Sequence, residues 1–293
     1  MKVGFVAILG RPNAGKSTFL NAVLSKKVSI VSPKAQTTRD SICGILNESD
    51  RQIVFVDTPG IFFGEGALDR YMKKSAFDSS KDVDAILYLI DGSARDLEPD
   101  FKILSSLRSE APRILVMNKI DLLRIEEGEA KKKLIHERFP EATLLEASFL
   151  KSFGIKDVKN AIEPYLVEGE PFYPEGALTD KDLPYRAKEI IRQELLHFLK
   201  QEIPHQSAVF IDRFQKKQGG YNIEATILLN KKNHKAIVIG KGGEMIKKIS
   251  MAARHEMERV FKAHVTSLSI EVEVKEGWRD DSTMLKKLGY AEE

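Results

Sequence analysis

The chain has 293 residues, 42% hydrophobic and 30% charged, with a net charge of +3, which suits a globular protein of two domains better than one. Its one cysteine, Cys43, excludes a disulfide framework and a cysteine-built metal site, and no apolar run is long enough to span a bilayer. The first residues carry no signal-peptide pattern, so a cytoplasmic location is expected.

The run Val3-Gly4-Phe5-Val6-Ala7-Ile8-Leu9 predicts a strand, and Ser17-Thr18-Phe19-Leu20-Asn21-Ala22-Val23-Leu24 a helix. Between them lies Gly10-Arg11-Pro12-Asn13-Ala14-Gly15-Lys16-Ser17, a G-x-x-x-x-G-K-[ST] pattern in the strand–loop–helix setting that a phosphate cradle requires. Glycine lets the backbone turn its N–H groups toward an anion, and the helix N-terminus adds partial positive charge. Lys16 is expected to reach the β- and γ-phosphates and Ser17 to hold Mg²⁺, with Gly10, Asn13, Ala14, Gly15 and Thr18 completing the cradle. An ordinary βα turn is the plain alternative, and the flanking elements speak against it.

Gln36-Thr37-Thr38-Arg39-Asp40 follows in a stretch without periodicity. A threonine there ligates Mg²⁺ only while a γ-phosphate is present, an order–disorder switch; Thr38 is the choice and Thr37 the reserve. A strand at 52–57 ends on Asp57-Thr58-Pro59-Gly60, where Asp57 is placed to hold Mg²⁺ through a water and the Gly60 N–H to face the γ-phosphate. Strands at 85–91 and 113–118 alternate with helices around 68–80, 100–107, 128–138 and 154–166, which predicts a mostly parallel α/β sheet covered on both faces.

Asn118-Lys119-Ile120-Asp121 closes the strand at 113–118 and separates GTP from ATP. A carboxylate at Asp121 accepts from the N1–H and 2-amino group of guanine together; adenine offers neither donor. Asn118 would brace the base and the phosphate loop, while the Lys119 stem covers the ring.

These four motifs, in this order and spacing, resemble the translation-factor-like GTPases. Gly-x-Pro-Asn-x-Gly-Lys-Ser, Thr-Thr-Arg-Asp and Asp-Thr-Pro-Gly narrow the resemblance to the branch holding the bacterial Era and TrmE-type proteins, over residues 3–166. It implies Mg²⁺-dependent GTP hydrolysis to GDP, with Lys16, Thr38 and Gly60 catalytic and Ser17, Thr38 and Asp57 at the metal. Ile61 stands where Ras-like enzymes use glutamine to orient water, so the intrinsic rate should be slow. Asn13 matches the asparagine that coordinates potassium in several relatives, making K⁺ a further candidate. Relatives carry Ser-Ala at the loop over guanine O6; this chain reads Leu145-Glu146-Ala147-Ser148, which puts Ala147 and Ser148 there through a backbone N–H.

Pro, Gly and acids crowd 167–176, and Pro184 follows, so 167–184 reads as a linker between domains at 1–166 and 185–293. Beyond it come a helix at 185–200, strands at 208–214 and 221–229, a glycine motif, a helix near 244–261 and a strand at 267–274. Residues 181–293 carry 21 Lys+Arg against 16 Asp+Glu, whereas the first 180 carry 25 against 27. Gly240-Lys241-Gly242-Gly243 matches the GXXG loop that brings a backbone close to single-stranded RNA, with Lys241, Lys247 and Lys248 supplying charge. Ile237, Val238, Ile239, Ile246 and Ile249 are candidates for the floor of a base-binding groove. The order of elements resembles an α+β type II KH domain.

A GTPase domain joined to such a domain resembles the Era family, including the terminal segment from Glu276. The resemblance implies a monomeric switch that binds small-subunit rRNA near its 3′ end and acts in small ribosomal subunit assembly. Trp278 is read either as stacking on a base or as packing in the core. Two other readings stand beside this one: an RNA-binding scaffold whose nucleotide site senses without turnover, prompted by Ile61, and a membrane-surface GTPase with peripheral contact at the inner face, prompted by the basic cluster.

Overall fold

The computed structural model of the chain describes residues 1–34, 36–62 and 64–290. Two compact units are formed, Met1–Gly64 with Met72–Asp180, and Glu65–Tyr71 with Lys181–Glu293.

In the first unit, β1 (Lys2–Gly10) lies between β3 (Arg51–Asp57) and β4 (Ala85–Asp91), parallel to both. β5 (Arg113–Asn118) and β6 (Thr143–Glu146) extend the sheet in parallel, and β2 (Ile42–Asn47) adds an antiparallel edge to β3. Successive residues of a strand face opposite sides, so a strand covered on both faces must be apolar throughout. β1 shows this: Val6 and Ile8 pack with Phe19 and Leu20 of α1 (Lys16–Leu24) and Val158 and Ile162 of α5 (Ile155–Ile162). Ala7 and Leu9 pack on the other side with Ala76 of α2 (Ala67–Asp78), Phe101 and Leu104 of α3 (Glu98–Ser106) and Ile135 of α4 (Ile125–Arg138). Gly10, Asp57, Asp91 and Asn118 all fall at carboxyl ends of strands, where open α/β sheets bind ligands.

β2 and β6 were not legible beforehand; one is six residues long and interrupted by a glycine, the other four residues long. The stretch expected to be a linker is instead laid along the first unit as far as Asp180. Val167–Glu168 forms β7 against β1, the Phe172 ring packs tilted on Phe5 at 4.6 Å, and the Leu178 carbonyl accepts from Ile45 N–H at 3.0 Å. Gln52, 1% exposed, substitutes for a ladder partner: its Nε2 donates to the Tyr173 carbonyl (2.9 Å) and its Oε1 accepts from Tyr173 N–H (3.0 Å). Gln52→Ala is expected to cost about 2–3 kcal/mol, since it strands both peptide groups, and to expose the 167–180 strap to limited proteolysis. Thermal denaturation with and without trypsin checks this; an unchanged digestion pattern would contradict it.

The second unit is a three-stranded sheet in the order β10 (Val265–Val274), β9 (Gly220–Leu229), β8 (Ser207–Lys217), the first pair parallel and the second antiparallel. Its core joins Ile191 and Leu195 of α6 (Leu183–Phe198), Val238 of α7 (Lys232–Ile239) and Ile249, Ala253 and Met257 of α8 (Glu244–Phe261) to Val209, Ile223 and Ile227 of the sheet. A short α9 (Ser282–Lys287) follows, capped by the Asp281 carboxylate. Residues 65–71 count with this unit because Ala67 and Leu68 donate their N–H groups to the Asp280 side chain and the Arg279 carbonyl.

Candidate functional site

The phosphate loop and the carboxyl edge of the first sheet enclose a cavity of about 340 Å³ lined by Asn13, Gly15, Lys16, Ser17, Thr18 and Thr38 at one end and Asn118, Lys119, Asp121 and Ser148 at the other. Gly10 and Gly15 both hold positive φ, the conformation that turns the loop's amides inward. Lys16 is buried; its Nζ donates to the carbonyls of Gly10 (3.2 Å) and Arg11 (3.0 Å). Burial lowers its pKa to about 8, against the opposing pull of the Asp57 and Asp100 carboxylates.

Around Ser17 the oxygens converge. Ser17 Oγ lies 2.9 Å from Thr38 Oγ1 and donates to Asp57 Oδ2 at 2.7 Å. Thr37, the reserve, donates its hydroxyl to the Lys34 carbonyl at 2.6 Å. Asp57 is fully buried, and burial raises its pKa despite the Lys16 charge nearby. Ser29, which no motif flagged, also donates to Asp57 Oδ2 at 2.8 Å. The other carboxylate oxygen, Oδ1, is buried with no hydrogen-bond partner among the described residues. Two hydroxyls and an orphaned carboxylate oxygen are hard oxygen donors that fit Mg²⁺ completed by waters and phosphate. Among the described residues no cluster of three His, Cys, Asp or Glu side chains offers a different metal site.

Gly60 stands against the loop: a Cβ there would come 2.6 Å from Pro12 N and Cα, so only glycine permits this approach. Ile61 donates its N–H to the Gly10 carbonyl (3.0 Å) and is wholly buried, leaving no side chain to orient water.

At the base end, Asn118 Nδ2 donates to the Ala14 carbonyl at 2.9 Å, tying the β5 terminus to the phosphate loop. Lys119 Nζ pairs with Asp91 Oδ2 at 2.6 Å, which holds its stem across the pocket mouth. Asp121 is exposed, and Ser148 Oγ donates to its Oδ1 at 2.6 Å.

In the second unit, the glycine loop joins α7 to α8. Gly240 has a positive φ, and a Cβ there would meet Met245 at 2.8 Å. Gly242 and Gly243 also hold positive φ but face open space, and Lys241, Lys247 and Lys248 are exposed. The expected apolar floor needs correction. Helical spacing turns Val238 and Ile249 into the core, at 0% exposed, while Ile237 is 51% exposed. Ile239 and Ile246 are half-buried beside the loop. Trp278 is packed rather than open for stacking: it is fully buried, and its Nε1 donates to the Gln206 carbonyl at 3.2 Å.

Residues 5–119 match a family described as 50S ribosome-binding GTPase, and residues 202–279 one described as KH domain. GTPase Era of Clostridium kluyveri is 45% identical over 292 residues, 99% of both chains. The chain belongs to the GTPase Era family. GTPase Era of Fusobacterium nucleatum is 41% identical over 297 residues, covering both chains in full. An Aquifex aeolicus Era variant bound to GDP·AlF₄⁻ matches at TM-score 0.95 and 36% identity, with each chain fully covered. The same figures hold for Era in complex with MgGDPNP and nucleotides 1506–1542 of 16S ribosomal RNA. The chain is therefore a P-loop GTPase domain on a mostly parallel sheet followed by a KH domain.

The backbone contact expected at Ala147 and Ser148 is not open in this structure. Ala147 donates its N–H to the Met117 carbonyl at 2.9 Å and Ser148 to Phe153 at 3.2 Å, so neither amide is open to guanine O6. Ladder pairing of β6 beside β5 takes the first, and the tight turn after it takes the second. The next backbone N–H, that of Phe149, donates to Asn118 Oδ1 at 3.1 Å and is committed as well. Ser148 contributes its hydroxyl to Asp121 instead. Phe149 carried no signal of its own, because its ring packs on Phe19 in the core at 4.8 Å.

Proposed function

We propose that this chain is a GTP-hydrolysing switch whose KH domain binds the 3′ region of small-subunit rRNA during small ribosomal subunit assembly. The observation that carries the nucleotide half is the convergence of Lys16, Ser17, Thr38 and Asp57 at one end of a cavity and Asn118 and Asp121 at the other. Lys16 holds the β- and γ-phosphates, Ser17 and Thr38 with Asp57 hold the metal, and the Gly60 N–H orients the γ-phosphate. Mg²⁺, when bound, neutralises charge developing on the β- and γ-oxygens. With Ile61 buried, stabilisation of that charge rather than water positioning supplies most of the rate, and unaided turnover is slow. Asn13 Nδ2 donates to the Pro33 carbonyl, which leaves its side-chain oxygen as the atom a potassium ion would take.

The RNA half rests on the open positive-φ glycines beside exposed lysines, and on the family's complex with 16S rRNA. Hydrolysis of GTP and ATP, with and without a fragment of the small-subunit rRNA 3′ end, tests the whole; equal turnover of ATP would end the guanine reading. Gly242→Asp with Lys241→Asp places two carboxylates at the phosphate path. It is expected to weaken that fragment's binding at least ~10-fold while intrinsic GTP turnover is unchanged, read by filter binding and phosphate release. No helix among the described residues is long and apolar enough to cross a membrane. A cytoplasmic setting follows from this reading, and peripheral membrane contact would show as vesicle binding that survives RNase.

A further inference from the structure

Asp100 is a buried carboxylate that touches neither phosphate nor metal in this reading. It sits in the first turn of α3, and its side chain is 1% exposed. Tyr88 of β4, itself fully buried, donates to its Oδ1 at 3.1 Å, and the Arg11 guanidinium reaches its Oδ2 at 3.4 Å. Burial still raises the carboxyl pKa in spite of the Arg11 charge. With Arg11 36% exposed at its side chain, the pair is only partly buried and adds little net stability, while the carboxylate beneath it is costly to bury. Stability alone therefore does not account for it.

Arg11 is the second residue of the phosphate loop. Its carbonyl accepts from Lys16 Nζ at 3.0 Å and from Ala14 N–H at 3.3 Å. The next residue, Pro12, is the one Gly60 packs against. Beside this part of the loop lies a cavity of about 350 Å³, bordered by Arg11, Pro12, Asn13, Ile61, Phe62 and Pro99. Pro12 is packed on its Gly60 side, but on the cavity side the loop's lateral placement depends on a tie. The guanidinium supplies one, to Asp100 and, at 3.5 Å, to the Asp96 carbonyl.

We infer that Asp100 is a positioning residue for GTP hydrolysis: through Arg11 it fixes the Arg11–Pro12 peptide, and thereby the aim of Lys16 and the approach of Gly60 to the γ-phosphate. This rests on the hydrolytic function proposed above. Amides of residues 13–18 still cradle the α- and β-phosphates without the tie, so ground-state nucleotide binding survives while the transition-state geometry loosens.

The test uses the full chain with Arg11→Met, Asp100→Asn and the double variant. Each single change is expected to lower kcat for GTP about 10-fold with KM and GDP affinity within about 2-fold, and the double variant to be no slower than the worse single one. Arg11→Lys, which restores the charge, is expected to recover part of the loss. Arg11→Met leaves the buried Asp100 carboxylate without its cation, so the double variant, which removes that charge as well, carries the test if a single variant does not fold, and an unchanged kcat there also overturns the inference. Losses that multiply in the double variant, or an unchanged kcat in Arg11→Met, would overturn the inference. A wild-type chain that does not turn over GTP at all would instead overturn the proposed function.

Discussion

Asp121→Asn is expected to move the preference of this protein from guanine to xanthine nucleotides. One carboxylate oxygen of Asp121 takes the Ser148 hydroxyl at 2.6 Å, which fixes the plane of the group. The carboxylate can then accept from N1–H and the 2-amino group of guanine. An asparagine presents an N–H₂ to one of these donors, so a charge-assisted bond is lost and a donor faces a donor. At about 1.5–3 kcal/mol for each charged hydrogen bond, GTP affinity should fall on the order of 100-fold or more. Xanthine carries a carbonyl at position 2, which accepts from the new amide and restores the pair. Competition of guanosine and xanthosine diphosphates against a fluorescent nucleotide reads the exchange. Retention of wild-type GTP affinity would mean that Asp121 does not read the base.

The second large effect separates activity from stability at a single residue. Lys16→Met is expected to lower GTP turnover by about 10²–10³-fold, the size of losing one well-placed electrostatic donor. The same change should leave the nucleotide-free protein as stable as wild type at neutral pH, or more so, because burial makes the ammonium unfavourable there and lowers its pKa to about 8. The sign of the pH dependence follows. Between about 8 and the ordinary 10.5 the unfolded chain keeps the Lys16 proton and the folded chain does not, so the unfolded state binds more protons and stability rises with pH. Lys16→Met lacks that rise. Thermal melts of both proteins from pH 7 to 10, beside phosphate-release rates, check both halves. A Met variant that melts well below wild type at pH 7 would show that Lys16 supports the fold.

Both effects concern motifs that were legible from spacing alone. Asp57 and Asn118 end strands, Asp121 follows one, and Lys16 and Ser17 open a helix after a loop whose shape glycine dictates, so short stretches of chain contain both the residue and the geometry that aims it. The same holds for Gly240–Gly243 at the start of α8. The helix expected at about 244–261 spans Glu244–Phe261, with apolar positions at helical spacing, and ends where Lys262 turns left-handed.

Other features were invisible for a physical reason: their partners lie far along the chain. Gln52 and Tyr173 are 121 residues apart, so a segment rich in Pro, Gly and acids read as a linker although buried side-chain amides hold it to the sheet. Arg11 and Asp100 are 89 residues apart, and nothing in Glu98-Pro99-Asp100 marks a carboxylate that reaches a phosphate loop. Sheet pairing commits the Ala147 amide, the turn after it commits that of Ser148, and Asn118 takes that of Phe149. The sequence by itself determined the two domain types, the Gly10–Ser17 and Asn118–Asp121 motifs and the Gly240–Gly243 loop, because local backbone geometry and residue chemistry coincide there. Only the tertiary structure decided which hydroxyl meets Ser17, which amides after the β6 strand are already committed and what braces the loop, because those depend on which distant groups the packed sheet brings within hydrogen-bond reach.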